Sequence, residues 1–209
     1  VQAGTGKKVY LTFDDGPSKE TEKILDILKK RQVKATFFSI GRDDAFSKKM
    51  YQRIVKEGHT LGMHSYSHQY KEIYQSMDAF QADYERISNC LTAATGIKPL
   101  YYRFPGGSTE VTEKLQMTDL DAYFNAQGAS YFDWNVIAAN NTTDDVSVNK
   151  MVDSVMNGVA LYDTSIVLMY DSVDRKMTAK SLDSILDYLL KNGYEILPID
   201  ENTIPIHHS

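Results

Sequence analysis

The sequence predicts an α/β fold in which about seven parallel strands form a distorted, incomplete (β/α) barrel. From Lys8 onward, short runs rich in β-branched and aromatic residues alternate with longer segments of helical period, which is typical of successive βα units. A length of 209 residues suits one such domain. Curling into a barrel protects the two edges that an open sheet of this width would expose. A doubly wound open sheet is the alternative.

Seven apolar runs are the predicted strands, and each is four to six residues long. They are Val9–Phe13, Ala35–Ile40, Thr60–Met63, Leu100–Phe104, Tyr131–Val136, Ile166–Tyr170 and Tyr194–Pro198. Three of the segments between them place apolar side chains at steps of three and four residues, the spacing of one helix face. These predicted helices are Glu20–Arg31, Asp78–Thr95 and Ser181–Lys191. No Gly-x-Gly-x-x-Gly motif follows the first strand, which disfavours nucleotide binding.

The composition is that of a globular protein, with 42% hydrophobic and 24% charged residues. We expect one domain at residues 8–200, after a linker at 1–7 and before a frayed C-terminal tail at 201–209. No apolar run approaches the roughly 20 residues that cross a bilayer, so no transmembrane segment is expected. A net charge of −5 with scattered basic residues disfavours nucleic acid as a partner.

Two polar motifs follow predicted strands. Asp14 and Asp15 close the first strand, where Asp is normally disfavoured, and a bound cation would explain the pair. His64 and His68 follow the third strand, and the i, i+4 spacing places both rings on one face of a helical turn, within reach of one ion. Alone, the Asp pair could be only a turn and the His pair chance spacing. Together the two motifs predict a metal-dependent hydrolase.

Two further polar segments fall at the fourth and fifth predicted strands. Arg103 lies within Tyr101–Gly107, and Asp133 and Trp134 lie in the fifth strand. In a parallel barrel the ends of the strands converge on one face, so we expect all of these groups at one rim. Individually, Arg103 could serve as a structural salt-bridge donor and Trp134 as a core aromatic. Jointly they predict a pocket.

Four motifs in this order and spacing resemble the NodB-homology polysaccharide deacetylases, carbohydrate esterase family four. The motifs are Thr12-Phe13-Asp14-Asp15-Gly16-Pro17, His64-Ser65-Tyr66-Ser67-His68, Arg103-Phe104-Pro105-Gly106-Gly107 and Asp133-Trp134-Asn135. The resemblance covers Lys8 to Asp200. It implies an enzyme that uses a divalent metal to remove N-acetyl groups from N-acetylglucosamine residues of a polysaccharide.

The resemblance also implies a division of roles between the two carboxylates. It assigns Asp14 as the catalytic base and Asp15, His64 and His68 as the metal ligands. The chemistry agrees, because a carboxylate bound to a cation cannot easily take a proton, whereas its neighbour can collect one from a metal-activated water. Zn²⁺ ranks first for two His and one Asp, and Co²⁺, Mn²⁺ and Ni²⁺ are alternatives.

Other roles are implied in the same way. The backbone N–H of Gly106 would donate to the oxyanion, Arg103 would orient the catalytic base, and Asp133 would tune the catalytic acid. Four residues are expected to contact the substrate. They are Tyr102, Pro105, Gly106 and Trp134.

The chain departs from the family at one position. Tyr170 stands where the family has the His that protonates the leaving amine, and the pKa of tyrosine is about 10 against about 6.5 for histidine. Tyr170, or a water it holds, could donate the proton, or Asp14 could return the proton that it took. A weak acid would slow amides more than esters, which leaves two alternatives open: an O-acetyl carbohydrate esterase, and a metal- and glycan-binding pseudoenzyme with weak turnover.

The expected partner is an acetylated polysaccharide. Peptidoglycan ranks first, and chitin-type oligomers are the alternative because they present the same acetamide. The resemblance places the protein outside the cell or in the cell envelope. We expect a monomer, although no motif in the chain bears on oligomeric state.

Overall fold

The computed structural model describes residues 5–111, 114–138 and 146–209, in which a helix follows most of the strands, as predicted. The strands are β1 (Lys8–Asp14), β2 (Thr36–Ser39), β3 (Thr60–Met63), β4 (Tyr101–Tyr102), β5 (Ser130–Tyr131), β6 (Val136–Ile137), β7 (Thr164–Tyr170) and β8 (Glu195–Ile196). The helices are α1 (Lys19–Arg31), α2 (Ala45–Lys56), α3 (Tyr70–Ile73), α4 (Met77–Thr95), α5 (Ser108–Val111), α6 (Met117–Gln127), α7 (Val148–Val159) and α8 (Lys176–Lys191).

The strands form one curled sheet in the order β5-β4-β3-β2-β1-β7-β6, with β8 beside the start of β1. The pairings between the described strands are all parallel. Since β5 and β6 are the two ends of this path, the barrel is incomplete, and the predicted fold class is confirmed. Pairing of β1 with β7 places Asp14 opposite Tyr170 at the carboxyl end of the sheet.

The prediction of one fifth strand at Tyr131–Val136 is wrong. The chain forms two short strands, β5 and β6, at opposite ends of the sheet, and Asp133 to Asn135 cross between them. Asn135 pairs with β7 through its backbone, since Asn135 N donates to Ile166 O at 3.1 Å. Its side-chain amide adds two bonds, because it donates to Thr164 O at 3.0 Å and accepts from Ile166 N at 2.8 Å. A polar side chain therefore attaches this crossing to β7.

The apolar core lies between the sheet and its helices, and a second cluster fills the barrel interior. Its buried members are Tyr10, Phe38, Phe132, Ile166 and Ile199. Among the residues that the structure describes, no helix combines the length and the apolar character that a membrane span requires.

The expectation of a frayed tail at residues 201–209 is wrong. Ile206 O accepts a hydrogen bond from Asp133 N at 2.8 Å, and the ring of His207 stacks on Tyr131 with 3.8 Å between centroids. The tail thus packs on the β5–β6 crossing, where the barrel is open. Residues 1–4 of the predicted linker lie outside the described residues, and the boundaries of the domain stay a prediction.

Candidate active site

The turn after β1 carries the two adjacent carboxylates. Asp15 has a φ of 76°, a left-handed conformation, and both carboxylates lie near His64 Nε2, at 3.8 Å for Asp14 Oδ2 and 3.2 Å for Asp15 Oδ1. Behind the turn, the buried carboxylate of Asp171 accepts from Gly16 N at 2.9 Å and from Thr21 Oγ1 at 2.6 Å. A Cβ on Gly16 would lie 2.1–2.6 Å from that carboxylate, so glycine is required there. Asp171 therefore shapes the turn that presents the Asp pair.

The two histidines of the second motif do not share a helix, contrary to the prediction. They lie in a loop after β3, and Ser65 and His68 have φ values of 70° and 57°. The loop nevertheless brings both rings to one point. His64 Nε2 lies 3.2 Å and His68 Nε2 3.1 Å from Asp15 Oδ1. The backbone, and not helical spacing, makes these side chains converge.

The residues at this point fit a divalent cation. Asp15 Oδ1 is buried and has no hydrogen-bond partner among the described residues. His64 Nδ1 lies 2.7 Å from Arg103 O, a contact that leaves Nε2 as the free lone pair. Asp15, His64 and His68 each offer one ligand atom, and these atoms lie within 4.8 Å of one another.

Asp14 is buried beside this cluster and is held by Arg103. Arg103 Nη1 donates to Asp14 Oδ1 at 2.9 Å and to Thr12 Oγ1 at 2.6 Å, while Nε and Nη2 donate to the carbonyls of Phe132 and Asp133. Burial raises the pKa of the Asp14 carboxyl above its usual range, against the opposing charge of Arg103. A carboxylate with a raised pKa beside a cation site is suited to take a proton.

These groups open into one cleft of about 280 Å³. It is lined by Asp14, Asp15, His64, His68, Tyr70, Phe104, Gly106, Trp134, Leu168, Tyr170 and Arg175. Seven of the predicted site residues are in this lining, and Arg103 lies directly behind it. Tyr70 and Arg175 were not among the predicted site residues; both lie a few residues beyond a motif, on the loop or helix that follows it.

Three predicted site residues lie elsewhere. Tyr102 is fully buried, its ring packed against Phe80 and Phe104 at centroid distances of 5.6 and 5.2 Å, so the prediction that it contacts substrate is wrong. Pro105 is also buried and is outside the cleft lining; its carbonyl accepts from Tyr74 Oη at 2.8 Å.

Asp133, the third, is fully buried and does not line the cleft. Its carboxylate accepts from Ser108 N at 2.9 Å, from Ser108 Oγ at 2.5 Å and from His208 N at 2.7 Å. These bonds anchor the first residue of α5 and the C-terminal tail to the β5–β6 crossing. The carboxylate of Asp133 therefore anchors these segments, and the expected contact with the catalytic acid is not formed.

The loop of the third motif exposes backbone to the cleft at Gly106. Gly106 has a φ of 81°, and a Cβ there would lie 2.9 Å from the ring of Tyr70 and 3.0 Å from Glu110 Cγ. The next residue, Gly107, packs on Trp134, where a Cβ would be 2.9 Å from the indole. None of the described residues accepts a hydrogen bond from Gly106 N. Gly106 thus contributes backbone to the lining of the cleft.

Tyr170 lines the cleft beside Asp14. Burial and the nearby carboxylates of Asp14 and Asp15 raise its pKa, and the positive charge of Arg175 opposes them only in part. The guanidinium carbon of Arg175 lies 4.6 Å from the centroid of the Tyr170 ring. The phenol therefore stays protonated at ordinary pH.

Asp171 gives a testable pH dependence. Burial raises its pKa to about 7 from the usual 3.8. Between these values the folded state holds a proton that the unfolded state has lost, so the free energy of unfolding falls as pH rises from about 4 to about 7.

Asp171→Asn keeps the shape of the side chain and cannot ionise. We expect the metal-free variant to lose this part of the pH dependence, up to a few kcal/mol, in urea unfolding at pH 5 and pH 8. If the free energy of unfolding changes equally between pH 5 and pH 8 in the parent and the variant, this pH dependence does not come from Asp171.

In this protein, carboxylates and imidazoles meet at the carboxyl rim of an incomplete barrel. This arrangement is typical of hydrolases built on a barrel of parallel strands. Residues 2–124 match the sequence model of the polysaccharide deacetylases, and the chain belongs to this family.

Individual relatives agree with this assignment. The chain is 30% identical over 205 residues to YheN of Bacillus subtilis (strain 168), a match that covers 96% of this chain and 70% of that protein. It is 33% identical over 203 residues to the peptidoglycan-N-acetylglucosamine deacetylase PgdA of Listeria monocytogenes serotype 1/2a (strain 10403S), covering 96% of this chain and 40% of that protein. The chain therefore spans less than half of the Listeria enzyme.

The fold has a similar counterpart among solved structures. The catalytic domain of peptidoglycan N-acetylglucosamine deacetylase from Eubacterium rectale ATCC 33656 matches with a TM-score of 0.89 and 35% sequence identity. The match covers 97% of this chain and 93% of that chain.

Proposed function

We propose that this protein removes N-acetyl groups from N-acetylglucosamine residues of a polysaccharide, with peptidoglycan first among the candidates. The observation that carries the proposal is the convergence of His64 Nε2 and His68 Nε2 on Asp15 Oδ1 beside the buried carboxylate of Asp14. The names of the Listeria and Eubacterium relatives support the choice of polymer. A polymer of the cell wall implies that the protein works in the envelope or outside the cell.

Asp15, His64 and His68 would hold the divalent cation, for which zinc ranks first. Bound there, it would supply Lewis acidity for the acetyl carbonyl and would lower the pKa of the attacking water. Asp14, oriented by Arg103, accepts the proton of that water. The Gly106 N–H donates to the oxyanion that develops on the acetyl carbonyl.

The leaving amine still needs a proton. Tyr170 remains a neutral phenol, so it is a poor acid for this step, although its hydroxyl can donate a hydrogen bond. The carboxyl of Asp14 lies on the adjacent strand and carries the proton taken from water. We assign it the return of that proton to the nitrogen, which makes one residue both base and acid.

The tyrosine also favours a second candidate, cleavage of O-acetyl esters. An alkoxide leaves more readily than an unprotonated amine, so a weak acid step penalises amides more than esters. If the weak acid step slows the reaction almost completely, the protein would be a pseudoenzyme that binds metal and glycan with weak turnover.

One assay separates these functions. Metal-free protein is reloaded with Zn²⁺ or Co²⁺, and acetate release is measured from N-acetylglucosamine oligomers and from O-acetylated oligosaccharides. We expect release from the amide substrate only after reloading. Release from the ester alone would replace the proposal with the esterase, and binding of both substrates without release would replace it with the pseudoenzyme.

A further inference from the structure

A carboxylate outside the cleft holds the loop that carries the two histidines. Asp83 lies on α4, and its Oδ2 accepts from Ser65 Oγ at 2.6 Å and from Tyr66 N at 3.0 Å. Its Oδ1 accepts from Ser67 N at 3.1 Å. Three consecutive residues thus donate to one carboxylate, and hydrogen bonds to an ionised acceptor are stronger than those between neutral groups.

This contact bears on a strained stretch of backbone. Ser65 and His68 have φ values of 70° and 57°, a left-handed conformation that is unfavourable for a residue with a side chain. Ser65 Oγ, which donates to Asp83, also accepts from His68 N at 3.0 Å. A chain of hydrogen bonds therefore runs from Asp83 through Ser65 to the backbone of His68, the residue whose Nε2 lies 3.1 Å from Asp15 Oδ1.

The carboxylate is itself fixed in place. Phe80 and Ile87, three and four residues away on α4, are fully buried in the core, so the helix cannot shift without disturbing the packing. One turn beyond Asp83, the guanidinium of Arg86 covers the ring of Tyr66 at 3.7 Å from its centroid. One helix thus holds both the backbone of the loop and the half-buried ring of Tyr66.

We propose that Asp83 is a positioning residue, which sets His68 and His64 at the distance from Asp15 that a divalent cation requires. The inference rests on the metal site of the proposed function. It assigns a role to a residue that lies outside the four motifs and does not line the cleft. Loss of an outer partner that orients metal ligands typically lowers metal affinity 10–100-fold, and we expect a loss of this size for Asp83→Asn.

The test measures metal affinity and not turnover. Zn²⁺ is titrated into the metal-free protein against a chromophoric chelator, and the visible spectrum of the Co²⁺ form is recorded for ligand geometry. Asp83→Asn leaves an amide N–H₂ facing donors of the loop, and Ser65→Ala removes only the hydroxyl link. We expect a 10–100-fold weaker affinity with an altered cobalt spectrum in the first variant and a loss of several-fold in the second.

Glu85→Gln is the matched control, because Glu85 is an exposed acid on the same helix. It should leave the affinity unchanged, and thermal unfolding of the metal-free proteins checks that each variant is folded. A folded Asp83→Asn protein that binds zinc as tightly as the parent would overturn the inference. If that variant does not fold, an unchanged affinity in Ser65→Ala overturns it. Failure of the parent to bind zinc or cobalt would instead overturn the proposed metal site itself.

Discussion

Asp14→Asn is expected to lower acetate release from N-acetylglucosamine oligomers by about 10²–10⁴-fold, the range typical for loss of a general base. An amide cannot take the proton of the attacking water, and in our assignment it also cannot return one to the amine. The measurement is kcat/KM of the zinc-loaded variant against the parent.

Two controls make this result specific to the base. Asp14→Asn should keep its zinc affinity within a few-fold, whereas Asp15→Asn should lose affinity and activity together, because only Asp15 is a predicted ligand. Asp153→Asn on α7 is an exposed substitution of the same type and should leave the rate unchanged. A folded, zinc-loaded Asp14→Asn protein with more than about a tenth of the parental rate would exclude Asp14 as the base.

The same substitution should also destabilise the protein. Arg103 is fully buried, and Asp14 is the only carboxylate among the described residues that forms an ion pair with it. Removing one partner of a buried pair typically costs about 3–5 kcal/mol. We expect a smaller cost here, because the raised pKa of Asp14 means that its own charge is unfavourable to bury. Urea unfolding of the metal-free variant measures this cost, and the kinetic assays belong well below its Tm.

Tyr170→His is expected to raise the rate on the amide substrate by about 10²-fold, the lower end of what a general acid contributes. An imidazolium has a pKa near neutrality, whereas the present phenol stays protonated. The gain is limited because the carboxylate of Asp133 is occupied by Ser108 and His208 and does not line the cleft. The rate on an O-acetyl ester should rise much less, since its leaving group needs the proton less.

Tyr170→Phe is the companion variant. It removes only the hydroxyl, and if Asp14 returns the proton to the amine its rate should stay close to that of the parent. A large loss in Tyr170→Phe would show that the phenol donates the proton. A Tyr170→His protein that gains nothing on the amide would show that protonation of the amine is not the slow step.

The sequence predicted the parts of the site that local patterns encode. Asp residues that close a strand and His residues that directly follow one are visible along the chain, and all four side chains meet at the rim. The loop conformation was not visible, because i, i+4 spacing does not reveal that Ser65 adopts a left-handed backbone.

The predictions for Tyr102 and for the fifth strand were wrong for similar physical reasons. Side chains alternate between the faces of a strand, so a shift of one residue decides that Tyr102 points into the core and not into the cleft. The crossing between β5 and β6 depends on contacts of Asn135 with residues about 30 positions away. Asp83 and Asp171 likewise act on segments 16–18 and 150–155 residues distant, which only the packed structure brings together.

The C-terminal tail that packs at the open side of the barrel has a consequence for folding kinetics. Its His208 N reaches Asp133 Oδ2 across 75 residues of sequence, and contacts of such long range form slowly because loop closure must precede them. A chain emerging from the ribosome cannot complete the surroundings of Asp133 until residues 206–208 have been synthesised. Until these residues have left the ribosome, the open edges of β5 and β6 are exposed to other chains, so a nascent chain that stops short of them should be more prone to aggregate.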